Sequence, residues 1–377
     1  MNVLKLYRPA VAAFLGVCAT AALAEDSAFS FSGYGTLGAV RTNLEDSQAE
    51  FRSGARQNKG ASRATDLGVD TRLGLQATYK FNEVFSAVGQ VLASRRDDQA
   101  GPQVEWLYAQ ATPTQGVDLR IGRMVLPIFA LSDNRNVGYA HYWVRAPQEV
   151  YGPYSPTSFD GVQARWRDNV GGVNLNVQAS AGQTEADVYY LFRSKSTLKH
   201  DRLYSLAVSA GMGDWTLSAS KTLGKDTSIT GPVFNLPKGD DNFTNLALQY
   251  DNGEFMAMAE YVTRRYSTMD LVNSDSYYVS AGYRLGAWTP YAIYGHFTPK
   301  GDAYISRTDF GQPIPGAFPK GHTRAVGVRW DAYKNVAVKL QVESVKRTDF
   351  AFANRSFQFI RETPNVTAVS LAVDFVF

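Results

Sequence analysis

Long stretches of the chain alternate between apolar and polar residues. The odd-numbered positions from 67 to 81 are Leu67, Val69, Thr71, Leu73, Leu75, Ala77, Tyr79 and Phe81, whereas the even-numbered positions are polar or glycine. Because successive side chains of a β-strand point to opposite faces, this pattern predicts a strand with one apolar and one polar face. Its length of about fifteen residues exceeds the ~5–6 residues usual in soluble sheets and suffices to cross a membrane, which takes ~9–11 tilted residues.

The alternation of apolar and polar residues recurs along the rest of the chain. The connections between these segments are themselves short and long by turns. We predict long polar segments at 41–66, 95–102, 124–159, 183–201, 222–242, 265–274, 298–321 and 346–364. Eight long segments and seven tight turns join sixteen strands. Long loops at one end and tight turns at the other are typical of outer-membrane barrels, and sixteen strands enclose a water-filled lumen. The predicted fold class is all-β, a transmembrane antiparallel β-barrel of sixteen strands.

Aromatic residues cluster beside the predicted tight turns. They are Tyr79, Phe81, Phe85, Trp215, Tyr250, Phe255, Tyr283, Trp288, Trp330 and Tyr333. Together on one rim of the barrel they would form the aromatic girdle that lies at a membrane interface.

The first 24 residues have the features of a secretory signal peptide. Lys5 and Arg8 precede an apolar run from 11 to 21, and Ala22-Leu23-Ala24 has the small residues of a signal-peptidase site. We expect residues 1–24 to be removed, which leaves 25–377 as a single barrel domain. A lipoprotein signal at Cys18 is the alternative, and the bulky Val17 before that cysteine disfavours it.

Composition narrows the possible functions further. A formal charge of +3 over 377 residues is too small to indicate a nucleic-acid binder. A barrel enzyme would need a nucleophile with a histidine or carboxylate partner on one rim, and the four histidines show no such spacing. No Cys/His metal cluster or phosphate-binding glycine-rich loop is present in the sequence. We therefore expect no enzymatic activity, no cofactor and no metal. A purely structural barrel would more often have eight strands and a plugged lumen.

Several segments resemble the sixteen-stranded general diffusion porins of Gram-negative bacteria. Residues 29–38 are similar to the first strand of that family and 71–76 to its second. Residues 121–123 and 160–166 resemble the strands that flank the third loop. The last strand ends on Phe375 and Phe377, which resembles the signal by which the barrel-assembly machinery recognises such chains.

This resemblance implies a channel in the cell outer membrane of a Gram-negative bacterium, surrounded by lipid and lipopolysaccharide. It implies passive diffusion of small hydrophilic solutes and ions, a homotrimer, and a third loop, at about 124–159, folded into the lumen. A substrate-selective channel for organic acids or sugars on the same barrel is the alternative, which the sequence does not separate from general diffusion.

The resemblance and the parity of the strands together predict the residues of the pore. The expected constriction residues are Arg72, Arg123, Arg165, Asp133, Arg135, Arg145 and Glu149. The residues expected to face the lumen elsewhere are Asp70, Gln76, Glu260, Arg264, Arg284, Arg329, Lys339 and Glu343. Opposed charges across a narrow pore set its ion preference, although any water-filled barrel has a polar interior. We expect Arg72, Arg123 and Arg165 to form the basic side, opposite Asp133 or Glu149.

Overall fold

The computed structural model describes residues 28–45, 50–154, 156–189, 195–232, 235–268, 273–300, 304–305, 314–315, 320–348, 352–353, 359–360 and 365–377. The predicted signal peptide, 1–24, lies outside the described residues. Within the described ranges, no helix is both long enough and apolar enough to span a membrane.

Sixteen antiparallel strands form one closed barrel, in which each strand pairs with its neighbours in the chain and the last strand pairs with the first. The strands are β1 (Phe29–Thr42), β2 (Arg72–Lys80), β3 (Phe85–Arg96), β4 (Gln99–Thr114), β5 (Val117–Val125), β6 (Ser158–Val170), β7 (Val173–Val188), β8 (Ser196–Met212), β9 (Trp215–Thr230), β10 (Asn235–Asp251), β11 (Phe255–Tyr266), β12 (Ser274–Tyr283), β13 (Trp288–Pro299), β14 (Lys320–Tyr333), β15 (Val336–Thr348) and β16 (Val366–Val376). Two hairpins of two-residue strands lie outside the barrel sheet, Tyr304–Ile305 with Ile314–Pro315 and Phe352–Ala353 with Phe359–Ile360. The predicted barrel of sixteen strands is confirmed.

The barrel wall has two distinct faces. Along β11 every second side chain is buried, among them Glu260 and Arg264, and the alternate positions are more exposed. We call the face that carries these charged residues the polar face. The opposite, apolar face exposes large hydrophobic side chains such as Leu217, Leu340 and Leu371, each about half exposed. The exposed aromatic residues beside the tight turns, including Trp288 stacked on Trp330, lie at one end of this wall.

Several strands continue beyond the predicted loop boundaries. Only Asp97 and Asp98 separate β3 from β4, where the sequence predicts a loop over 95–102. Likewise, β7 to β10 run well into the predicted loops 183–201 and 222–242. Apolar alternation ends where the apolar band ends, but ladder hydrogen bonds join backbone groups and continue through polar residues such as Thr227 and Ser228. The prediction of long loops at these three positions was therefore wrong.

The seam between β1 and β16 is fixed by glycines that accept aromatic rings. Phe375 lies directly opposite Gly35, and Gly33 exchanges backbone hydrogen bonds of 2.9 and 3.0 Å with Phe377. A Cβ atom on either glycine would overlap the facing phenyl ring. Only glycine leaves this room, so the two rings fix the register in which the barrel closes.

The segment 126–157, between β5 and β6, contains one turn of 3₁₀-helix at Gly138–Ala140 and the short helix α1 (Gln148–Tyr151). Its apolar side chains join a buried cluster with residues of the barrel wall. Phe129 packs edge-on against Phe243 of β10, and Trp143 packs edge-on against Tyr278 of β12. This cluster attaches the segment to the wall over the arc from β8 to β14.

Candidate functional site

Segment 126–157 is hydrogen-bonded to polar-face side chains of strands far apart in the barrel. On one side, Ser220 of β9 donates to the carbonyl of Ile128 at 2.7 Å. On another, Arg329 of β14 donates to the carbonyls of Tyr139 and His141 at 2.6 and 2.9 Å. Because both ends of this arc are bonded, the segment is held in one position against the wall.

Lys339 of β15 is the most deeply buried cation of the site. Its ammonium lies 2.7 Å from a carboxylate oxygen of Asp374, and neither side chain is exposed to solvent. The same ammonium donates to the carbonyls of Gly138 and Trp143 at 2.7 and 2.9 Å. The lysine therefore forms one ion pair, with Asp374, and two hydrogen bonds, to carbonyls of segment 126–157. Thr36 donates to the same carboxylate.

Arg145 connects segment 126–157 to two acidic residues. Its guanidinium donates to Asp70 and Glu343, and to the hydroxyl of Ser370 at 2.7 Å. Burial alone would lower the pKa of Arg145, but the charges of Asp70 and Glu343 outweigh it, and the pKa is raised. The face of this guanidinium also lies 4.9 Å from the ring centre of Phe51. Arg145 therefore links segment 126–157 to Asp70 and to Glu343 and Ser370 of the barrel wall.

A second anchor lies at the carboxylate of Glu260, on β11. It accepts hydrogen bonds from the backbone N–H of Ala130 at 3.0 Å, from the hydroxyl of Tyr151 at 2.6 Å, and from the amide of Asn245. Glu149 of α1 accepts a hydrogen bond from Thr323 of β14. The Glu149 side chain occupies the space that a Cβ at position 295 of β13 would fill.

A cavity of about 130 Å³ opens between residues 53–57, the start of β2, the end of β3, Glu105 of β4 and segment 126–157. We call it the arginine cleft. Its charged lining consists of Arg56, Arg72, Arg95, Arg96, Arg135, Arg145, Asp70 and Glu105. Six cations face two carboxylates, so the lining carries an excess of positive charge.

A β-bulge places Glu105 in this cleft. Gln90 of β3 pairs with Trp106 of β4, and the next residue, Val91, pairs with Val104, which leaves Glu105 as the extra residue. Its carboxylate accepts hydrogen bonds from Thr157 at 2.6 Å and from Arg96 at 2.8 Å. A bulge shifts the alternation of a strand by one residue, so simple parity does not predict this position.

Arg123 and Arg165 do not lie together, contrary to the prediction. On β5 the buried polar face carries Asp118, and Arg123 shares the alternate positions with the exposed Ile121. Arg123 forms a two-pronged pair with Asp160 at 2.7 Å, away from the polar face. Arg165 lies on the polar face of β6, 3.4 Å from Asp133.

The cation of β5 beside Arg165 is Arg120. It donates to Gln110 and Gln163 at 2.8 and 3.3 Å and lies over the ring of Tyr108. The signal for it was present in the sequence, since Leu119 and Ile121 set the parity of the strand.

The other predicted residues fall into separate groups. Arg72 and Arg135 line the arginine cleft with Arg145, whereas Arg165 with Asp133, and Glu149 with Thr323, are bonded elsewhere. Arg284 lies in the tight turn after β12 and pairs with Asp251 at 2.6 Å. The residues with buried polar-face positions are Asp70, Glu260, Arg264, Lys339 and Glu343. Gln76 is half-buried and accepts a hydrogen bond from Gln90.

Arg56 and Asp374 were not among the predicted site residues. Arg56 belongs to a predicted long loop, for which parity gives no orientation. Asp374 lies in the last strand among small and apolar residues, and the alternation does mark it as polar. In the part of the chain that the structure describes, no group of three or more His, Cys, Asp or Glu residues is arranged to hold a metal ion.

Comparison with known proteins gives one family and a set of solved structures. A family model described as Gram-negative porin matches residues 10–349. None of the curated proteins matches the sequence.

The solved structures share the fold at low sequence identity. The chain is similar to an anion-selective porin from Comamonas acidovorans, with 12% identity, a TM-score of 0.58, and coverage of 93% of this chain and 99% of that one. It is similar to OmpF of Salmonella typhi in complex with daunomycin, with 12% identity, a TM-score of 0.57, and coverage of 93% and 97%. It is also similar to OmpT of Vibrio cholerae, folded in vitro and in trimer form, with 15% identity, a TM-score of 0.54, and coverage of 93% and 100%.

Proposed function

The chain belongs to the Gram-negative porin family and is a diffusion channel of the outer membrane, and on this premise we propose that it admits small hydrophilic solutes passively, with a preference for anions. The polar face of the wall lines the water-filled lumen, and the apolar face contacts lipid. The alternative of a channel selective for organic acids or sugars uses the same barrel and differs in whether a solute binds inside it.

Segment 126–157 narrows this lumen. Support comes from its contacts, which are with polar-face side chains from β9 round to β16 and with Asp70 before β2. A segment bonded to that face on strands so far apart lies inside the barrel rather than over its apolar face. Its two buried anchors, Lys339 and Glu260, hold it there.

The excess of arginine is the observation that carries the anion preference. The arginine cleft lies on one side of segment 126–157, and Arg120 and Arg165 extend the basic surface along β5 and β6. Charged walls around little water concentrate the oppositely charged ion. Basic charge along the polar face therefore favours the passage of anions.

Maturation and assembly follow the family pattern in this proposal. Residues 1–24 are removed as a signal peptide, and the mature chain assembles as a homotrimer within lipid and lipopolysaccharide. The barrel-assembly machinery recognises the last strand, which contains Phe375 and is followed by Phe377. The trimer form of one similar structure supports the oligomeric state.

Reversal potentials across a potassium chloride gradient test the anion preference in planar bilayers. We expect the wild type to favour chloride, and Arg165→Gln to lower the chloride-to-potassium permeability ratio roughly two- to fivefold. The reason is that a unit charge about 4 Å from an ion in water contributes about 1 kcal/mol.

Arg202→Gln is the matched control. It removes the same charge from the apolar face of β8, where the exposed Arg202 pairs with Asp226. We expect its permeability ratio to equal that of the wild type. A wild type without conductance would contradict the channel, and equal shifts in both variants would contradict the assignment of faces.

A further inference from the structure

Three of the six arginines in the arginine cleft have no acidic partner. Arg95 pairs with Asp66 at 2.7 Å, Arg96 pairs with Glu105 at 2.8 Å, and Arg145 pairs with Asp70 and Glu343. The remaining three are Arg56, Arg72 and Arg135. Among the residues that the structure describes, no carboxylate lies within ion-pairing distance of these three.

The polar contacts of the unpaired arginines are few and neutral. Arg56 donates to Thr157 at 3.0 Å and to Gln103 at 3.4 Å, and Arg72 donates to Thr36 at 3.4 Å. The guanidinium of Arg135 has no hydrogen bond to any described residue. A guanidinium presents five N–H donors in a planar fork, so most donors of these three side chains remain available.

The electrostatics of the cleft favour a bound anion. Burial and, after it, the charge of Arg96 lower the pKa of Arg56 to about 9, while the carboxylates of Glu105 and Asp187 act in the opposite direction. Burial also lowers the pKa of Arg135. The carboxylate of Glu105 opposes this shift, and the cations Arg72 and Arg96 add to it. A cation that is both desolvated and surrounded by like charge is stabilised by a nearby anion.

The side chains are held in place before any solute arrives. Residues 50–57 are fastened by a hydrogen bond from the N–H of Ala55 to the carbonyl of Gly152 at 3.2 Å, and by one from the N–H of Tyr189 to the carbonyl of Ala55 at 2.7 Å. Arg56 and Arg135 therefore come from two loops that are fixed to each other, and Arg72 comes from the start of β2. Such preorganisation reduces the entropy lost on binding.

We propose that the arginine cleft is a binding site for a small dianionic solute, one that carries its charge on phosphate or carboxylate oxygens. This inference rests on the proposed anion-preferring channel and adds a discrete binding step to it. Paired N–H donors of a guanidinium match two oxygens of a phosphate or carboxylate. A cavity of about 130 Å³ suits an ion of the size of inorganic phosphate or the end of a short dicarboxylate.

Single-channel recording of the mature protein, residues 25–377, tests the site. Chloride current is measured while inorganic phosphate or succinate is added in steps, with uncharged glycerol as the neutral probe. We expect both dianions to reduce the chloride current until the effect saturates. Glycerol should cause no saturable reduction. Arg135→Gln and Arg56→Gln should each raise the half-blocking concentration about tenfold, because a hydrogen bond to a charged group contributes enough to change affinity by that factor.

Two further variants separate charge from structure. Arg135→Lys keeps the charge and should retain most of the block. Arg202→Gln removes an exposed cation from the apolar face, where Arg202 pairs with Asp226. Its current should be blocked at the same dianion concentration as that of the wild type. Calorimetric titration of phosphate into the detergent-solubilised protein measures binding independently of current.

The outcomes for the site and for the channel are distinguishable. A wild type that conducts chloride but is blocked by neither dianion overturns the binding site and leaves the channel intact. Block that is unchanged in Arg135→Gln and Arg56→Gln also overturns it. A wild type that conducts no ions contradicts the proposed channel instead.

Discussion

At the residue scale, the site depends on buried charges that share their partners. Lys339 and Asp374 have no solvent to screen them, and each also serves another group, the carbonyls of segment 126–157 and the hydroxyl of Thr36. Removing one partner of such a pair leaves the other charge buried and unbalanced. The loss of the lysine therefore acts on the wall and on segment 126–157 together.

We expect Lys339→Met to reduce the free energy of unfolding by about 3–5 kcal/mol, because Asp374 is then buried without a cation. Adding Asp374→Asn should recover more than half of that loss by removing the unbalanced charge. Urea titrations of the protein in lipid vesicles measure both. Lys221→Met, which removes an exposed lysine bonded to Thr244, is the control, and a loss equal to that of Lys339→Met would contradict the role of burial.

At the scale of elements, the alternation of side chains along each strand determines which face of the barrel wall each residue occupies. Leu217 and Ser218 are neighbours on β9 and lie on opposite faces, the leucine half exposed among apolar residues. In the proposed membrane setting, the face of Leu217 contacts lipid and the face of Ser218 contacts water. The same substitution at the two positions therefore has different consequences.

Leu217→Arg should reduce the stability of the folded barrel by about 2–4 kcal/mol, the range for an arginine near the middle of the bilayer. Ser218→Arg should change it by less than about 1 kcal/mol, because its side chain reaches water. Folding into vesicles at graded urea concentrations measures the difference. Equal losses at the two positions would show that the faces are assigned wrongly.

The sequence predicted the strands and most of the polar face because alternation is a local property. It predicted Glu260, Lys339 and Glu343 on one polar face, and all three side chains are buried in the structure. It failed at Arg123, where similarity to a family motif was followed although Leu119 and Ile121 indicate the other face. The position of Arg56 could not be predicted from alternation. A loop residue takes its position from contacts distant in sequence, here with Thr157 and Gln103.

At the scale of the whole molecule, the fold leaves a broad apolar surface around the barrel. In the proposed assembly, part of it contacts two further copies and the remainder contacts lipid. The composition of this surface does not itself distinguish these two uses, which is why the number of subunits did not follow from alternation and came instead from resemblance.

We expect the protein extracted in mild detergent to have three times the mass of one chain spanning residues 25–377. Native mass spectrometry measures the assembly, and the denatured sample gives the mass of the single chain and thus its first residue. A monomeric mass in several detergents would contradict the trimer. A chain mass that includes residues 1–24 would contradict the predicted cleavage without affecting the barrel.

The connections of Arg145 have a consequence for the order of folding. Its partners Asp70, Glu343 and Ser370 are separated from it by 75, 198 and 225 positions in the sequence. Contacts at such separation form late, because a long stretch of chain must first be ordered. These three partners come together only when β15 and β16 have joined β1, so the arginine cleft matures after closure. A barrel closed in a shifted register would leave a guanidinium and two carboxylates mismatched, and this penalty disfavours misassembled barrels.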